Sequence, residues 1–456
     1  MQGISAQKRG ILIKLSKGAS LALEKLNKAG YEAYVVGGSV RDSLMGKTPY
    51  DYDITTSALP EEIKAVFHNE RVIETGIKHG TVAVIIDGEM LEITTYRIDG
   101  EYKDSRHPKS VEFTRSLCED LRRRDFTVNA LAFNPNEGLI DLFNGQEDIK
   151  NGIIRAIGEP KKRFFEDALR ILRAMRFSST LGFSIEGETK KAMDECVHLL
   201  NNVSKERITE ELSKILLGKN VVNAIVDSYK ILGTLLPEFE KMHGFDQRTK
   251  WHVYDVLTHT AHVVDSIEPR ADLRLSALLH DVGKVHTFTL DENGAGHFYG
   301  HNKVSGEIAR EFLERYKYDN QTKEKVLTLI PIHDSPITPE KVFIKKRMNR
   351  LGKENFFDLI KLQRADNMAQ NPVYARLDRF DEIERIANEI VKENCFTLSS
   401  LKIDGNDLIT LGFEKGNRIG RVLSLLLDEV LEERLENEKN ALIGRAKELL
   451  QTEFQK

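Results

Sequence analysis

The spacing of the apolar residues changes once along the chain, near Phe164, and this change limits the folds that the chain can adopt. Before it, short runs such as AYVVGG, YDITT and TVAVIIDGEMLEITTYR predict strands mixed with helices. After it, apolar residues recur at intervals of three and four in nearly every segment, which is typical of amphipathic helices. A chain of 456 residues is also longer than a single hydrophobic core usually supports. We therefore predict a multi-domain, mostly helical protein whose first third is α/β.

Composition narrows the class of protein. Charged residues make up 30% of the chain and hydrophobic residues 40%, which describes a water-soluble protein, and no window approaches the ~20 apolar residues of a membrane span. With a formal net charge of −4, any nucleic-acid partner must meet local basic patches. Cys118, Cys196 and Cys395 fit neither a disulfide framework nor a zinc ribbon. We expect a cytoplasmic protein that has no membrane partner.

The segment VVGGSVRDSLMGKTPYDYDITT combines two glycines with two aspartates. Asp51 and Asp53 are one residue apart on a predicted strand, so their side chains share a face, roughly 7 Å apart along the backbone. Such a pair suits Mg²⁺, which takes one or two carboxylates and completes its shell with water and substrate phosphates. Gly37 and Gly38 allow the backbone to approach those phosphates, and Arg41 adds donors. The segment predicts a nucleoside triphosphate site with metal; the alternative is a turn with Asx caps.

A third carboxylate is predicted on a neighbouring strand. The run TVAVII, then Asp-Gly, then MLEITTYR predicts a β-hairpin, because Asp-Gly supplies the positive φ angles of a tight turn. In the second strand Glu92 alternates with the apolar Leu91 and Ile93. We predict that Glu92 is a catalytic carboxylate; the alternative is a solvent-facing acid on a half-buried strand.

The motifs GGSVRD, DYDITT, RRRDFTVNALAFN and EDALRILRAMRF occur in this order. They resemble those of the bacterial class II tRNA nucleotidyltransferases, the CCA-adding enzymes and their poly(A) polymerase relatives in the DNA polymerase β superfamily. The resemblance covers residues 13–218. It implies untemplated nucleotide addition to an RNA 3′ hydroxyl, with ATP, CTP and tRNA as partners and no DNA, and metal binding by Asp51 and Asp53. The nucleotide-binding residues that it implies, together with those inferred above, are Gly37, Gly38, Arg41, Asp42, Arg123, Arg124, Asp125, Asn129, Asp167, Arg170 and Arg173.

Two of these residues suggest how a protein selects a base. Asp167 and Arg170 are three residues apart on a predicted helix and therefore share a face. An aspartate that only accepts and an arginine that only donates match the pairing edges of cytosine and adenine and oppose those of uracil and guanine. The family resemblance assigns base recognition to these positions. The alternative is an ordinary intrahelical ion pair.

The segment 98–120, between the predicted catalytic strand and the arginine triplet, contains a glycine, a proline and many charges. We predict a mobile surface loop near the active site. It resembles the flexible loop of enzymes that add the terminal adenosine, which argues against an enzyme that adds only CC. Full CCA addition, A-only addition and polyadenylation all stay open.

Histidines and aspartates recur in the helical part, in DVLTHTAHVV, LSALLHDVGK, FYGHNKVSG, IPIHDSP and QRADNMA. A His-Asp pair in an apolar helix is costly to bury without a partner, and metal coordination satisfies both groups. The set resembles an HD-type phosphohydrolase domain, which uses Mg²⁺ or a divalent transition metal to lower the pKa of a bound water. The implied ligands are His259, His280, Asp281, His301, His333 and Asp366. The alternative is a helical body that keeps the ligands but has little activity.

These features predict four domains: an α/β nucleotidyltransferase head (1–155), an all-α neck that recognises the base (156–220), an HD-type helical body (221–390) and a helical tail (391–456). The tail from about Leu398 resembles the C-terminal helical module of longer family members, which implies that it binds RNA. The predicted function is to build or repair the CCA end of tRNA from CTP and ATP with Mg²⁺, and the body can trim RNA ends. The alternatives are an A-only enzyme, a poly(A) polymerase, or an RNA-end phosphohydrolase whose head merely binds nucleotide. His252 and His297 are unassigned, and His262 is expected at the surface.

Overall fold

The structure is a computed structural model that describes residues 13–77, 80–100, 111–394 and 396–452. The chain divides into two units, Met1–Glu240 and Lys241–Lys456. This division lies inside the predicted body (221–390), and the four domain boundaries stay predictions. The predicted fold class, an α/β head followed by helices, is confirmed.

A mixed sheet organises the first unit. Its order is β3-β4-β5-β2-β1-β8-β9, in which β2 and β5 run parallel and the other neighbours antiparallel. Two small pairs, β6 with β7 and β10 with β11, lie outside it. The strands are β1 (Ala33–Val36), β2 (Asp53–Thr56), β3 (Arg71–Gly76), β4 (Thr81–Ile86), β5 (Glu89–Thr95), β6 (Arg97–Asp99), β7 (Val111–Phe113), β8 (Leu131–Asn134), β9 (Gly138–Asp141), β10 (Ile153–Ile154) and β11 (Ser184–Ile185).

The predicted hairpin is confirmed. Strands β4 and β5 are antiparallel, with Ile86 opposite Glu89. The turn residues Asp87 and Gly88 have φ angles of 53° and 80°. Positive φ at both central positions is the reason that Asp-Gly predicts a two-residue turn. The prediction of a loop at 98–120 is wrong at both ends, because residues 98–99 belong to β6, 111–113 to β7 and 117–120 to α4. Its middle part, 101–110, lies outside the described residues.

Helices cover the sheet and build the remainder of the first unit. Helix α1 begins where the Ser16 hydroxyl accepts a hydrogen bond from the Ala19 N–H, and its buried face packs into the core of the sheet. Helices α7 and α9 pack closely: a Cβ at Gly218 would lie 2.0 Å from the Ser179 hydroxyl, so only glycine fits there. The helices are α1 (Lys17–Lys28), α2 (Gly38–Leu44), α3 (Pro60–Val66), α4 (Leu117–Arg122), α5 (Gly145–Asn151), α6 (Pro160–Glu166), α7 (Leu169–Leu181), α8 (Gly187–Cys196), α9 (Lys205–Leu216), α10 (Val221–Asp227), α11 (Tyr229–Leu235) and α12 (Pro237–Met242), with 3₁₀ turns at Thr127–Asn129 and Val197–Asn202.

The second unit is helical, as the apolar spacing predicts, apart from a short antiparallel pair, β12 (Phe288–Leu290) and β13 (Gly296–Phe298). None of the helices in the described ranges combines the length and apolar character that crossing a bilayer requires. The helices are α13 (Val256–Ser266), α14 (Ala271–Leu279), α15 (Lys284–Thr287), α16 (His301–Arg315), α17 (Asn320–Leu329), α18 (Lys341–Leu351), α19 (Lys353–Met368), α20 (Leu377–Glu393), α21 (Gly405–Thr410), α22 (Asn417–Leu431) and α23 (Lys439–Thr452), with 3₁₀ turns at Ile330–Ile332 and Leu398–Ser400.

Candidate active site and metal centre

Asp53 and Glu92 lie side by side on adjacent strands. Asp53 begins β2 and is the register partner of Glu92 in the parallel strand β5, and both residues are exposed. Residues in register present their side chains on the same face of a sheet. The surrounding protein removes water from the Asp53 carboxylate and raises its pKa; Arg124 opposes this shift, whereas the negative charges of Asp51 and Glu92 add to it. The three carboxylates therefore share one electrostatic environment.

The prediction that Asp51 lies on the strand is wrong. Strand β2 begins only at Asp53, so Asp51 belongs to the connection that precedes it. Exposure nevertheless alternates, because Tyr52 is 8% exposed between two exposed aspartates. The Tyr52 hydroxyl donates a hydrogen bond to the Lys14 carbonyl at 3.1 Å, which anchors this connection. Both aspartates consequently face solvent beside Glu92.

Gly37 brings the backbone close to Asp53 and Arg124. Its φ is 75°, a region that favours glycine, and a Cβ here would lie 3.3 Å from Arg124 Nη1 and 4.0 Å from Asp53 Oδ2. Gly38 begins α2 next to Arg41 Nη2, which would lie 3.5 Å from an added Cβ. The Arg124 Nε is buried without a hydrogen-bond partner among the described residues. The side chain is 19% exposed, and its Nη1, beside Gly37, is the donor that an anion next to the carboxylates can meet.

A chain of buried polar contacts links Arg41 to Arg173. Arg41 donates to Asp42 at 2.9 Å and to the Asn129 side-chain oxygen at 2.6 Å, and the Asn129 amide donates to Asp125 at 3.1 Å. Arg173 Nε donates to the other Asp125 oxygen at 2.8 Å. Burial alone would raise the pKa of Asp125, but Arg173 and Asn129 lower it to about 2. The network stays charged at neutral pH and fixes the two arginines.

Asp120 is a functional candidate that the sequence interpretation missed. It is fully buried and accepts hydrogen bonds from Arg123 at 3.0 and 2.8 Å and from the Thr55 hydroxyl at 3.0 Å. Arg124 lies 3.6 Å away. Arg123 therefore pairs with Asp120, and Asp120 connects Arg123 and Arg124 to Thr55 in β2. The spacing of three and four residues from Asp120 to these arginines is the signal that could have found it.

Phe177 is the second residue that the sequence interpretation missed. Its ring is 6% exposed, and the guanidinium carbons of Arg41, Arg173 and Arg176 lie 5.3, 5.6 and 4.4 Å from its centroid. Cation–π contacts of this kind hold arginines in place without neutralising their charge. Arg176 also pairs with Glu211 at 3.2 Å. The result is a cluster of three arginines, two from α7 and one from α2, that is held by one ring and by the carboxylate partner of each arginine.

The prediction that Asp167 and Arg170 share a face of one helix is wrong. Asp167 is extended (φ −141°, ψ 103°) in the break between α6 and α7, where its carboxylate accepts from the Leu169 N–H at 3.1 Å. It pairs with Arg207 of α9 at 2.9 and 3.3 Å. Arg170 pairs instead with Glu166 at 2.8 Å and donates to the Arg123 carbonyl at 2.7 Å. The alternative, an ion pair between the two residues, is therefore also excluded.

In the second unit, the six predicted metal ligands converge from distant segments. Three of the histidines lie around the buried Asp281: His280 Nε2 lies 3.1 Å from one carboxylate oxygen, and His301 and His333 Nε2 lie 3.4 and 3.7 Å from the other. His259 Nε2 lies 2.9 Å from Asp366 and 3.7 Å from Asp281. The sets His259, His280, Asp281 and Asp281, His301, His333 each bring their ligand atoms within 4.8 Å of one another.

The four histidines are oriented as metal ligands. Each Nδ1 faces a backbone carbonyl, at Ala369 (3.3 Å), Ala277 (2.7 Å), Phe298 (2.8 Å) and Ile330 (2.7 Å). A carbonyl can only accept, so each Nδ1 is the nitrogen that donates to the backbone, and each Nε2 is the nitrogen turned towards the carboxylates, which is the arrangement that metal-ligating histidines use. The Nε2 atoms of His301 and His333 face each other at 3.3 Å, and His280 Nε2 is buried without a hydrogen-bond partner among the described residues. These donors fit a divalent metal.

Charges around this centre favour ionised carboxylates. Burial raises the pKa of Asp281, but His280 and Lys284 lower it well below its ordinary value. Lys284 lies 2.7 Å from Asp281 and donates to Gln247 at 2.9 Å. Burial also lowers the pKa of His252 to about 3, so this histidine is neutral beside the centre.

Three further histidines that are not predicted ligands each pack against another ring: His252, His262 and His297. The His252 ring packs edge-on against His259, with centroids 4.9 Å apart. His262 is half-buried and stacks on Tyr254 at 4.5 Å. His297 stacks on Tyr299 at 5.3 Å.

Family models match three parts of the chain. The "Poly A polymerase head domain" matches residues 33–155, the "RNA and SrmB-binding site of polymerase A" matches residues 182–242, and "tRNA nucleotidyltransferase domain 2" matches residues 297–446. The chain is 35% identical to the CCA-adding enzyme of Leuconostoc mesenteroides, over 93% of this chain and 94% of that protein. It is 36% identical to the CCA-adding enzyme of Lactobacillus helveticus, over 92% and 94%.

Solved structures show the same architecture. The CCA-adding enzyme of Bacillus stearothermophilus in complex with CTP superposes with a TM-score of 0.74 at 29% identity, covering 96% of this chain and 98% of that one. The Thermotoga maritima CCA-adding enzyme complexed with tRNA has a TM-score of 0.60 at 21% identity, covering 94% of each chain, and supports the fold alone.

Proposed function

We propose, for a chain that belongs to the family of bacterial CCA-adding enzymes and poly(A) polymerases, that it builds or repairs the 3′-terminal CCA of tRNA from CTP and ATP in the cytoplasm. The observation that carries this proposal is the side-by-side placement of Asp53 and Glu92 on β2 and β5, directly beside Gly37 and Arg124. Carboxylates next to an arginine with a spare donor suit a metal-bound triphosphate.

Each residue has a role in this proposal. Asp51, Asp53 and Glu92 would hold Mg²⁺, which when bound supplies activation of the RNA 3′ hydroxyl and neutralisation of the leaving pyrophosphate. Gly37 leaves room for the triphosphate to approach the backbone, and Arg124 donates to its oxygens. These groups act by positioning, because oriented reactants need little further chemistry from the protein.

Asp167 and Arg170 select the base through partners that hold each in place. Arg207 orients the Asp167 carboxylate, and Glu166 orients the Arg170 guanidinium. The exocyclic amino group of cytosine or adenine donates to the Asp167 carboxylate. The adjacent ring nitrogen of the base accepts a hydrogen bond from Arg170. Uracil and guanine present the opposite pattern and leave charged groups unpaired, which costs on the order of 1–3 kcal/mol for each group.

The test is nucleotide incorporation into three purified tRNA transcripts, which end before CCA, after C and after CC, with labelled CTP or ATP and Mg²⁺. We expect two C residues and one A on the first transcript, followed by arrest. Asp53→Asn abolishes incorporation because the metal loses a charged ligand. The matched control Asp87→Asn, at the hairpin turn, retains it because asparagine tolerates the positive φ of that position.

Other products would change the assignment. A single A without C would indicate an A-adding enzyme, and a long A tract would indicate a poly(A) polymerase. Full activity of the Asp53→Asn variant would refute the proposed site.

A second candidate function is supported by the metal centre of the second unit. We propose that His259, His280, Asp281, His301, His333 and Asp366 hold a divalent metal, either Mg²⁺ or a transition metal, and that this centre hydrolyses phosphoesters at RNA 3′ ends. The metal when bound supplies a water of lowered pKa. The protein's own contribution is the set of carbonyl contacts that direct each Nε2 inward, and Lys284, whose ammonium favours the ionised form of Asp281.

Hydrolysis of RNA oligonucleotides that end in 2′,3′-cyclic phosphate or 3′-phosphate tests this second function. Asp281→Asn should abolish hydrolysis and leave nucleotide addition intact, and Asp53→Asn should do the reverse. Asp378→Asn, at an exposed aspartate of the same unit, is the matched control and should change neither activity. Hydrolysis that survives Asp281→Asn would assign the activity elsewhere.

A further inference from the structure

An exposed aromatic pair lies at the start of the second unit. Trp251 is 46% exposed, and its ring meets that of the half-buried Tyr374 at 4.9 Å between centroids. The Lys250 ammonium lies over both rings, at 5.0 and 5.4 Å from their centroids. One exposed and one half-buried ring, inclined at 62° to each other with one positive charge over both, therefore form a small aromatic surface, which we call the tryptophan platform.

The tryptophan platform adjoins the metal centre. Asn371 donates from its backbone N–H to the Trp251 carbonyl at 2.8 Å, two residues after Ala369, whose carbonyl contacts the ligand His259. On the other side of Trp251, the His252 ring packs against His259. The platform is thus fixed to the backbone that positions one ligand histidine.

A second exposed ring lies beside another ligand. Tyr299 is 76% exposed and stacks almost parallel on His297, at 5.3 Å and an interplanar angle of 5°. His297 is held by Asp291 at 3.2 Å. Tyr299 lies two residues before the ligand His301, in the connection from β13 to α16. We call this pair the tyrosine platform.

The ligand histidines next to the two platforms approach different oxygens of the same carboxylate, that of Asp281. His259, beside the tryptophan platform, lies 3.7 Å from Asp281 Oδ2. His301, beside the tyrosine platform, lies 3.4 Å from Asp281 Oδ1. Each platform therefore adjoins a different ligand histidine of the same carboxylate.

We propose that the tryptophan and tyrosine platforms stack the unpaired bases of a single-stranded RNA 3′ end whose terminal phosphoester reaches the metal centre. Every base has an aromatic face, so stacking on exposed rings retains a strand without reading its sequence, and Lys250 supplies a charge for its phosphates. The inference rests on the proposed phosphohydrolase function and names its substrate as single-stranded RNA.

Tryptophan fluorescence gives a direct test, because Trp251 is the one tryptophan of the 456-residue sequence. A short single-stranded RNA that ends in a 3′ hydroxyl, and so has no phosphoester to hydrolyse at that end, is titrated into the full-length protein without nucleotide. We expect saturable quenching of Trp251 and weaker quenching by a blunt RNA duplex. Tyr374→Leu should weaken the apparent affinity by about 5- to 150-fold, which is the range for loss of one base-stacking contact. Val373→Ala, at the adjacent exposed residue, should leave it unchanged.

A kinetic comparison tests the tyrosine platform. Tyr299→Leu should raise KM for an RNA oligonucleotide that ends in 2′,3′-cyclic phosphate. The same variant should leave kcat and KM for 4-nitrophenyl phosphate, which has no bases, unchanged. Equal losses on both substrates would show that Tyr299 acts on the metal centre itself and would overturn its stacking role.

The outcomes separate this inference from the function on which it rests. RNA hydrolysis without any quenching of Trp251 would overturn the stacking inference and leave the phosphohydrolase in place. Saturable quenching without hydrolysis under any divalent metal would retain an RNA-binding surface and remove the phosphohydrolase. Emission that shifts with protein concentration in the absence of RNA would assign the rings to a contact between protein molecules, and would also overturn the inference.

Discussion

Arg207 offers the sharpest test of base recognition by Asp167. Its Nη2 and Nη1 atoms lie 2.9 and 3.3 Å from the two oxygens of Asp167, and the side chains are only 24% and 19% exposed. Within the described residues, this carboxylate also accepts a hydrogen bond from the Leu169 N–H at 3.1 Å. We predict that Arg207→Met lowers the preference for CTP over UTP, because the Asp167 carboxylate is then free to rotate away from the base.

The expected size of the effect follows from this geometry. A hydrogen bond to a charged group contributes about 1.5–3 kcal/mol. Because both side chains keep some contact with water, the lower end of that range applies, and about 1.5 kcal/mol corresponds to roughly a tenfold change. The ratio of kcat/KM for CTP to that for UTP should therefore fall by about tenfold in Arg207→Met. Arg207→Lys retains the charge but loses the two-pronged geometry, so it should fall between the wild type and Arg207→Met.

The assay is single-nucleotide incorporation into a tRNA transcript that ends before CCA, with CTP and UTP measured separately. Thermal unfolding of each variant confirms that the neck remains folded. If Asp167→Ala destroys the CTP preference while Arg207→Met keeps it within twofold, Arg207 does not position the carboxylate. If neither substitution changes the preference, Asp167 does not read the base.

Three further predictions concern buried charges. The pKa of Asp125, about 2 in the folded protein against an ordinary 3.8, lies below its unfolded value. Its contact with Arg173 therefore contributes about 2 kcal/mol that is present above pH ~4 and lost as pH falls towards 2, and Asp125→Asn should remove this part of the pH dependence of the unfolding free energy. Asp120→Asn should lower the unfolding free energy by about 3–5 kcal/mol in denaturant titrations, whereas Glu119→Gln, on the helix surface, should change it by less than about 1 kcal/mol. Ni²⁺, which favours imidazole ligands, should raise the Tm of the wild type but not that of Asp281→Asn.

Features that depend on neighbours in sequence could be predicted from the residues. The hairpin at Asp87 and Gly88 formed because two positive φ angles are required there and the sequence supplies them. The helices after Phe164 formed where apolar residues recur at three and four. The alternation that exposes Glu92 between Leu91 and Ile93 is likewise a local property of the strand.

Contacts between distant segments could not be predicted in this way. The partner of Asp167 is Arg207, 40 residues away, and the partner of Arg41 is Asn129, 88 residues away. Helical spacing can propose only partners three or four residues away, so it paired Asp167 with the wrong arginine. The metal centre was an exception, because a family resemblance, not periodicity, selected its ligands from five segments.

The break at Asp167 shows why spacing misled and why it matters for the proposed function. In the segment FFEDAL, Asp167 is of a residue type that is favoured at the N-termini of helices. Its side chain accepts a hydrogen bond from the Leu169 N–H at the start of α7. A helix that continued through Asp167 would direct the carboxylate along the side of α6 and α7, where Arg170 and Glu166 already neutralise each other. The extended conformation instead turns the carboxylate towards Arg207 on α9. The Asp167 carboxylate is thus held by Arg207. The Arg170 guanidinium is held by Glu166, so a base can bind to Asp167 and Arg170 without first separating an ion pair between them.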